Sequence, residues 1–88
     1  MSIQTTKGIT LERTEEVNYG EKIMGVSFNP SNNPEVDKIK ALCADLANLI
    51  NEKRQGIVSG EVKRMCSVAI TDLQTAQMWA VKAVTWVD

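Results

Sequence analysis

Apolar residues fall at Val36, Ile39, Cys43, Leu46 and Ile50, spaced three, four, three and four. This is the repeat of a helix that buries one narrow face, and Leu42 and Leu49 widen it. The predicted helix starts at Asn33, a favoured N-cap, with Pro34 in the first helical position and Glu35 and Asp37 at the positive end of its dipole. It runs to about Arg54, with Lys53 and Arg54 suited to the negative end. Gln55 and Gly56 mark its stop, the glycine being expected to take the left-handed exit conformation. A second helix is expected after Ser59 and Gly60, with Ser59 as cap and Glu61 in the first turn. Its apolar stripe is Val62, Cys66, Ala69, Leu73, Ala76, Ala80, Ala83 and Val84. A loop of about five residues folds the pair back as an antiparallel hairpin. Residues facing each other across it should sum to roughly 115, which sets Cys66 about 9 Å along the axis from Cys43. A disulfide between them is not expected.

Two stretches do not fit a hairpin that stands alone. Between Ala76 and Val87 the apolar residues, Trp79 and Trp86 among them, cover nearly the whole helix circumference. A hairpin buries one side of each helix, so the remainder must meet another surface. A second copy is the more natural cover, since the alanines permit close approach, and the predicted state is a homo-oligomer; the alternative is a monomer with its N-terminal arm wrapped across Trp79 and Trp86. Residues 1 to 32 are read as an irregular or short-helical N-terminal arm and loop, broken by Gly8, Gly20, Gly25, Pro30 and the Ser31-Asn32-Asn33 triplet. Lys22 to Phe28 reads as a short strand or extended arm, and Thr14 to Val17 as the opening of one helical turn. Neither holds enough apolar surface to fold alone, so the arm must dock. The fold expected is all-α: a single domain with an arm over 1–32 and an antiparallel two-helix hairpin over 33–88.

Composition narrows the function more than the fold. The 88 residues carry ten Lys and Arg against eleven Asp and Glu, a formal charge of −1, which argues against a general binder of DNA or RNA polymers. No apolar run approaches the roughly 18 residues of a membrane span, and the N-terminus lacks the apolar core of a signal peptide. The absence of histidine removes Ser-His-Asp and Cys-His constellations, and two separated cysteines cannot build a zinc site. Those cysteines read as small buried hydrophobes in a reducing compartment. Asp37, Asp45 and Asp72 occupy ordinary helix-surface positions, and no nucleophile has an evident base. Neither catalytic nor metal-binding residues are expected, and no cofactor.

Three features can carry binding instead. Lys40 stands on the flank of the first helix's seam, where it either snorkels to water or aims its ammonium at an anion such as phosphate. Thr71, Met78, Lys82 and Thr85 form a stripe opposite the main stripe of the second helix, either a solvated face or a ligand face. The hairpin register brings Lys82 near Asn33 and the N-terminus of the first helix, a reasonable phosphate site. In the loop Phe28-Asn29-Pro30-Ser31, a semi-exposed aromatic can stack on a nucleobase while Asn29 and Ser31 bond base edges or phosphate.

Residues 28–40, FNPSNNPEVDKIK, lead into an apolar helix, and residues 70–86, ITDLQTAQMWAVKAVTW, close a second. Together they resemble the helical-hairpin family of small bacteriophage proteins that includes anti-CBASS protein 2, and more distantly the Thoeris anti-defence hairpins. The likeness covers roughly residues 23–87. It implies a sponge acting in the host cytoplasm. Such a protein sequesters cyclic dinucleotides without cleaving them, blocks antiphage CBASS signalling, and assembles as a hexamer with ligands between protomers. Whether cyclic trinucleotides bind as well is left open. The resemblance implies that Lys40 faces phosphate, that Thr71, Gln74 and Met78 follow the family's polar–apolar pattern on the last helix, and that Lys82 stands where arginine is common. It leaves two candidates, Phe28 and Tyr19, for the residue that stacks on the base. The competing expectation is a structural or protein-interaction hairpin, which uses the Trp79 and Trp86 face alone.

Overall fold

In the computed structural model, which describes residues 17–88, the chain forms three helices: α1 over Tyr19–Met24, α2 over Pro34–Gly56 and α3 over Gly60–Thr85. The hairpin of α2 and α3 is antiparallel and closes through Ile57, Val58 and Ser59. Asn33 Nδ2 donates to the Val84 carbonyl at 3.3 Å at the open end, and Arg54 Nη1 donates to Ser67 Oγ at 3.0 Å towards the closed end. The caps are local and follow the sequence. Asn33 Oδ1 accepts from the Glu35 N–H at 2.8 Å, and the Ser59 hydroxyl accepts from the Val62 N–H at 3.3 Å. The stop of α2 differs from expectation. Gly56 stays helical, and Ile57 ends the helix with an extended backbone at φ −114° and ψ 148°.

Positive φ at a glycine is used at Gly25, where φ is 65°. This residue ends α1, and where a strand or extended arm was expected over Lys22 to Phe28 the chain instead runs from the last turn of α1 into a tight turn. The helical turn expected from Thr14 begins outside the described residues. A six-residue helix has too few internal bonds to persist alone, so both of its ends must be fixed. At the start, Asn18 Oδ1 accepts from the Glu21 N–H while Glu21 Oε1 accepts from the Asn18 N–H. At the end, the Gly25 and Val26 N–H groups close on the Lys22 and Glu21 carbonyls.

Docking of α1 decides which face of the hairpin is buried. Gly20 lies against the Ala44 carbonyl: a Cβ built there would stand 2.1 Å from that oxygen. Met24, Ala44 and Ala47 form the centre of the core, with Ile23, Val26, Cys43 and Leu73 packed around them. The buried line of α2 is therefore Val36, Lys40, Ala44 and Ala47. Leu46, expected in the core seam, and Leu42 and Leu49, expected to widen it, are exposed. On α3 the buried residues are Cys66 and Ile70, while Ala69, Ala76 and Ala83 of the expected stripe face outward. Both cysteines are free thiols, and burial pushes the Cys43 thiol up. Among the described residues no helix is long and apolar enough to cross a membrane.

Candidate functional site

The turn after α1 and the loop before α2 form one connected structure at the open end of the hairpin. Its backbone is held from both long helices. Gln74 Nε2 donates to the Ile23 carbonyl at 3.2 Å and Gln77 Nε2 to the Met24 carbonyl at 2.8 Å. From α2, Lys40 Nζ donates to the Gly25 carbonyl at 3.1 Å and also to the Phe28 carbonyl. Lys40 is only 8% exposed, so its ammonium neither snorkels to water nor stands free in a cleft. Two of its three protons are occupied by these carbonyls, which leaves one for another acceptor. Its Nζ lies 5.3 Å from the centre of the Phe28 ring, within cation–π range.

The loop itself is braced by its polar side chains. The Ser31 hydroxyl donates to Asn29 Oδ1 at 2.7 Å and accepts from the Asn33 N–H at 3.1 Å. Asn29 Nδ2 donates to the Asn33 carbonyl and to Asp37 Oδ1, both at 3.0 Å. Asn32 takes a left-handed backbone, φ 57°, a conformation asparagine tolerates better than most residues. Asn29 and Ser31, read from the sequence as partners for a ligand, thus make bonds that hold the loop. The result is a rigid platform that presents Phe28, 69% exposed, at the molecular surface.

Behind Phe28 the loop, α2 and α3 form a half-open cavity of about 220 Å³, lined by Phe28, Asn29, Pro30, Ser31, Val36, Lys40, Val81 and Thr85. Four of the eight residues singled out from the sequence meet here: Phe28, Asn29, Ser31 and Lys40. Thr71, Gln74, Met78 and Lys82 do not line it. Gln74 is engaged with α1, Thr71 and Met78 are exposed, and Lys82 lies over two indoles, its Nζ 5.4 Å from the Trp79 ring and 5.8 Å from the Trp86 ring. The register brought the end of α3 to Asn33 as expected, yet the residue that arrives is Val84, not Lys82. Val81 and Thr85 complete the cavity wall; Val81 was not anticipated from the sequence, whereas Thr85 was a candidate on the second helix's outer stripe. The Thr85 hydroxyl donates to the Val81 carbonyl at 2.7 Å.

Electrostatically the cavity is a small apolar recess with one embedded cation. Among the described residues the ion pair is Arg64 with Glu61 at 2.6 Å, at the far end of α3, and no carboxylate pairs with Lys40. A positive charge met, among the described residues, by carbonyl dipoles and the Phe28 ring favours an anion nearby. The second stacking candidate, Tyr19, lies elsewhere. Its hydroxyl accepts from Arg54 Nη2 at 3.2 Å, and the Arg54 guanidinium stands 5.7 Å from its ring. Among the described residues no group of His, Cys, Asp and Glu side chains is arranged to hold a metal ion. No nucleophile–base pair lies in the cavity either.

Residues 21–85 match a family model described as the Acb2/Tad1 hairpin domain. The match takes in the last turn of α1, the braced loop and both long helices. Searches against characterised proteins and solved structures return no match.

Proposed function

Because the chain belongs to the Acb2/Tad1 hairpin family, we propose that it is a sponge. In this reading it sequesters cyclic oligonucleotide second messengers without cleaving them and so blocks antiphage CBASS signalling in the cytoplasm of the host cell. The observation that carries the reading is the pairing of an exposed Phe28 ring with the embedded Lys40 ammonium in the lining of one small recess. Aromatic faces take nucleobases by stacking, and a cation beside them takes the phosphate that links two nucleosides. Sequestration needs affinity and no reacting group, consistent with a recess lined by Val36, Val81, Pro30 and Phe28.

The dimensions of the cavity bear on stoichiometry. At about 220 Å³ it falls below the roughly 300–1,000 Å³ of sites that enclose a drug-sized ligand. One base and its phosphate fit this description better than a whole cyclic dinucleotide. The remainder of the ring then lies against a second copy, which supports a homo-oligomer with ligands between protomers. Thr71, Gln74, Met78 and Lys82 are proposed as contacts only in such an assembly, since they stand outside the cavity of one chain.

The test is incubation of the purified full chain with a panel of cyclic di- and trinucleotides. Free ligand is measured after filtration and again after heating. Depletion followed by recovery of intact ligand is the expected result. Linear products would mean an enzyme, and no depletion would leave the second reading, a protein-interaction hairpin. That reading has one observation in its favour, the exposed Leu42, Leu49, Trp79 and Trp86 side chains.

A further inference from the structure

One row of side chains on each long helix serves neither the core nor the loop cavity. On α2 it is Glu35, Ile39, Leu42, Leu46, Leu49 and Lys53, with Leu42 69% and Leu49 65% exposed. On α3 it is Met65, Ala69, Asp72, Ala76, Trp79 and Ala83, all exposed. Both rows face away from α1. Ala44 meets α1 through Gly20, and Leu42 and Leu46 each lie about 160° round the helix from it at 100° per residue. Gln74 meets α1 through Ile23, and Met65 and Ala83 lie about 180° round from it. The two rows therefore make one continuous surface on the back of the hairpin, with alternating spacings of four and three residues along each helix.

Each row mirrors itself. About Ala44, Leu42 reflects onto Leu46, Ile39 onto Leu49, and acidic Glu35 onto basic Lys53. About Gln74, Met65 reflects onto Ala83 and Ala69 onto Trp79, so that large side chains meet small ones. The two centres also lie side by side. Contacts across the hairpin join Asn33 to Val84 and Arg54 to Ser67, pairs whose numbers sum to 117 and 121, and Ala44 with Gln74 falls between them. A single two-fold axis crossing the hairpin at this level therefore serves both rows.

We propose that the occupant of this surface is a second copy of the chain. It packs back to back, with α2 antiparallel to α2 and α3 antiparallel to α3, as an isologous four-helix layer. In this register Leu42 of each copy seats against Leu46 of the other. Glu35 meets Lys53 of the second copy at both ends of the seam, which fixes the antiparallel alignment by charge. A parallel alignment would set Glu35 against Glu35 and Lys53 against Lys53. Asp72 is the charge nearest the axis, and its two copies repel. This deepens the self-association proposed above by assigning its surface, and it does not depend on any ligand.

The experiment is sedimentation velocity on the full chain without nucleotide. The wild type should sediment as a dimer or an even multiple. Leu46→Glu should lose that back-to-back contact while keeping its helical circular dichroism. E35K and K53E should each weaken association roughly tenfold at low salt, and the E35K/K53E double variant should restore it, because the pair is exchanged and not removed. D72N should tighten association. A monomeric wild type would overturn both self-association and this surface. An assembly that Leu46→Glu leaves unchanged, or a double charge exchange weaker than either single one, would overturn the surface alone.

Discussion

Gly20 is the residue on which the docking of α1 turns. Its N–H donates to Asn48 Oδ1 at 2.7 Å, and its α-carbon sits so close to α2 that a Cβ would stand 2.1 Å from the Ala44 carbonyl oxygen. Backbone cannot yield as the end of a flexible side chain can, so Gly20→Ala must push α1 off its seat. The expected loss is about 1–3 kcal/mol, the usual cost of overpacking, read from the midpoint of urea unfolding. An unchanged midpoint would mean that α1 contributes nothing to the fold. Lys40 shows why a residue can be found in a sequence for one reason and act for another. Helical periodicity places it on the flank of the core, and from there an exposed ammonium is the natural inference. Its actual partners, the Gly25 and Phe28 carbonyls, belong to a turn that exists only once α1 has docked. No local pattern encodes that turn's position.

At the scale of the element, what is set by neighbouring residues was legible and what is set by docking was not. The starts of α2 and α3 were readable because Asn33, Pro34 and Ser59 act within one turn of themselves. The buried line of α2 was not, because α1 selects Ala44 and Ala47 over the larger leucines on the opposite side. A six-residue helix also carries too little periodicity to announce itself; its signals were the Asn18 and Glu21 capping box and Gly25. The start of α3 bears a testable charge device. The Arg64 guanidinium, 2.6 Å from Glu61, holds the Glu61 carboxyl below the usual carboxylate range, and Arg64 is raised in turn. A carboxyl whose folded value is depressed adds stability above its unfolded value and loses it as pH falls through the folded one. The thermal midpoint of the wild type should therefore exceed that of Glu61→Gln near neutral pH, by a small margin for so exposed a pair. That margin should close in acid. A difference that persists below the carboxylate range would assign the effect to something other than this charge.

For the whole molecule, the cavity and the back surface lie on opposite sides. The cavity is lined by Lys40 and Val81 beside the turn that follows α1, whereas the mirrored leucine row faces away from α1. A back-to-back dimer therefore leaves both cavities open, directed outward and away from each other. If one cavity accommodates half of a cyclic dinucleotide, the other half must be met by a copy approaching from the loop side, so ligand and back surface drive two independent contacts. By linkage, a ligand that binds between copies must itself promote their association. The Leu46→Glu variant isolates that contact, because its back surface is disabled while Phe28, Lys40 and the braced loop are untouched. Addition of a bound cyclic dinucleotide should raise its sedimenting mass from one chain to a ligand-bridged pair. Combining Leu46→Glu with Phe28→Ala should abolish the shift. The ring is 69% exposed, so its removal costs the fold little, and a lost base stack is worth about 1–3 kcal/mol of binding. Ligand bound with no change in mass would mean that a single hairpin encloses it, which the size of the cavity argues against.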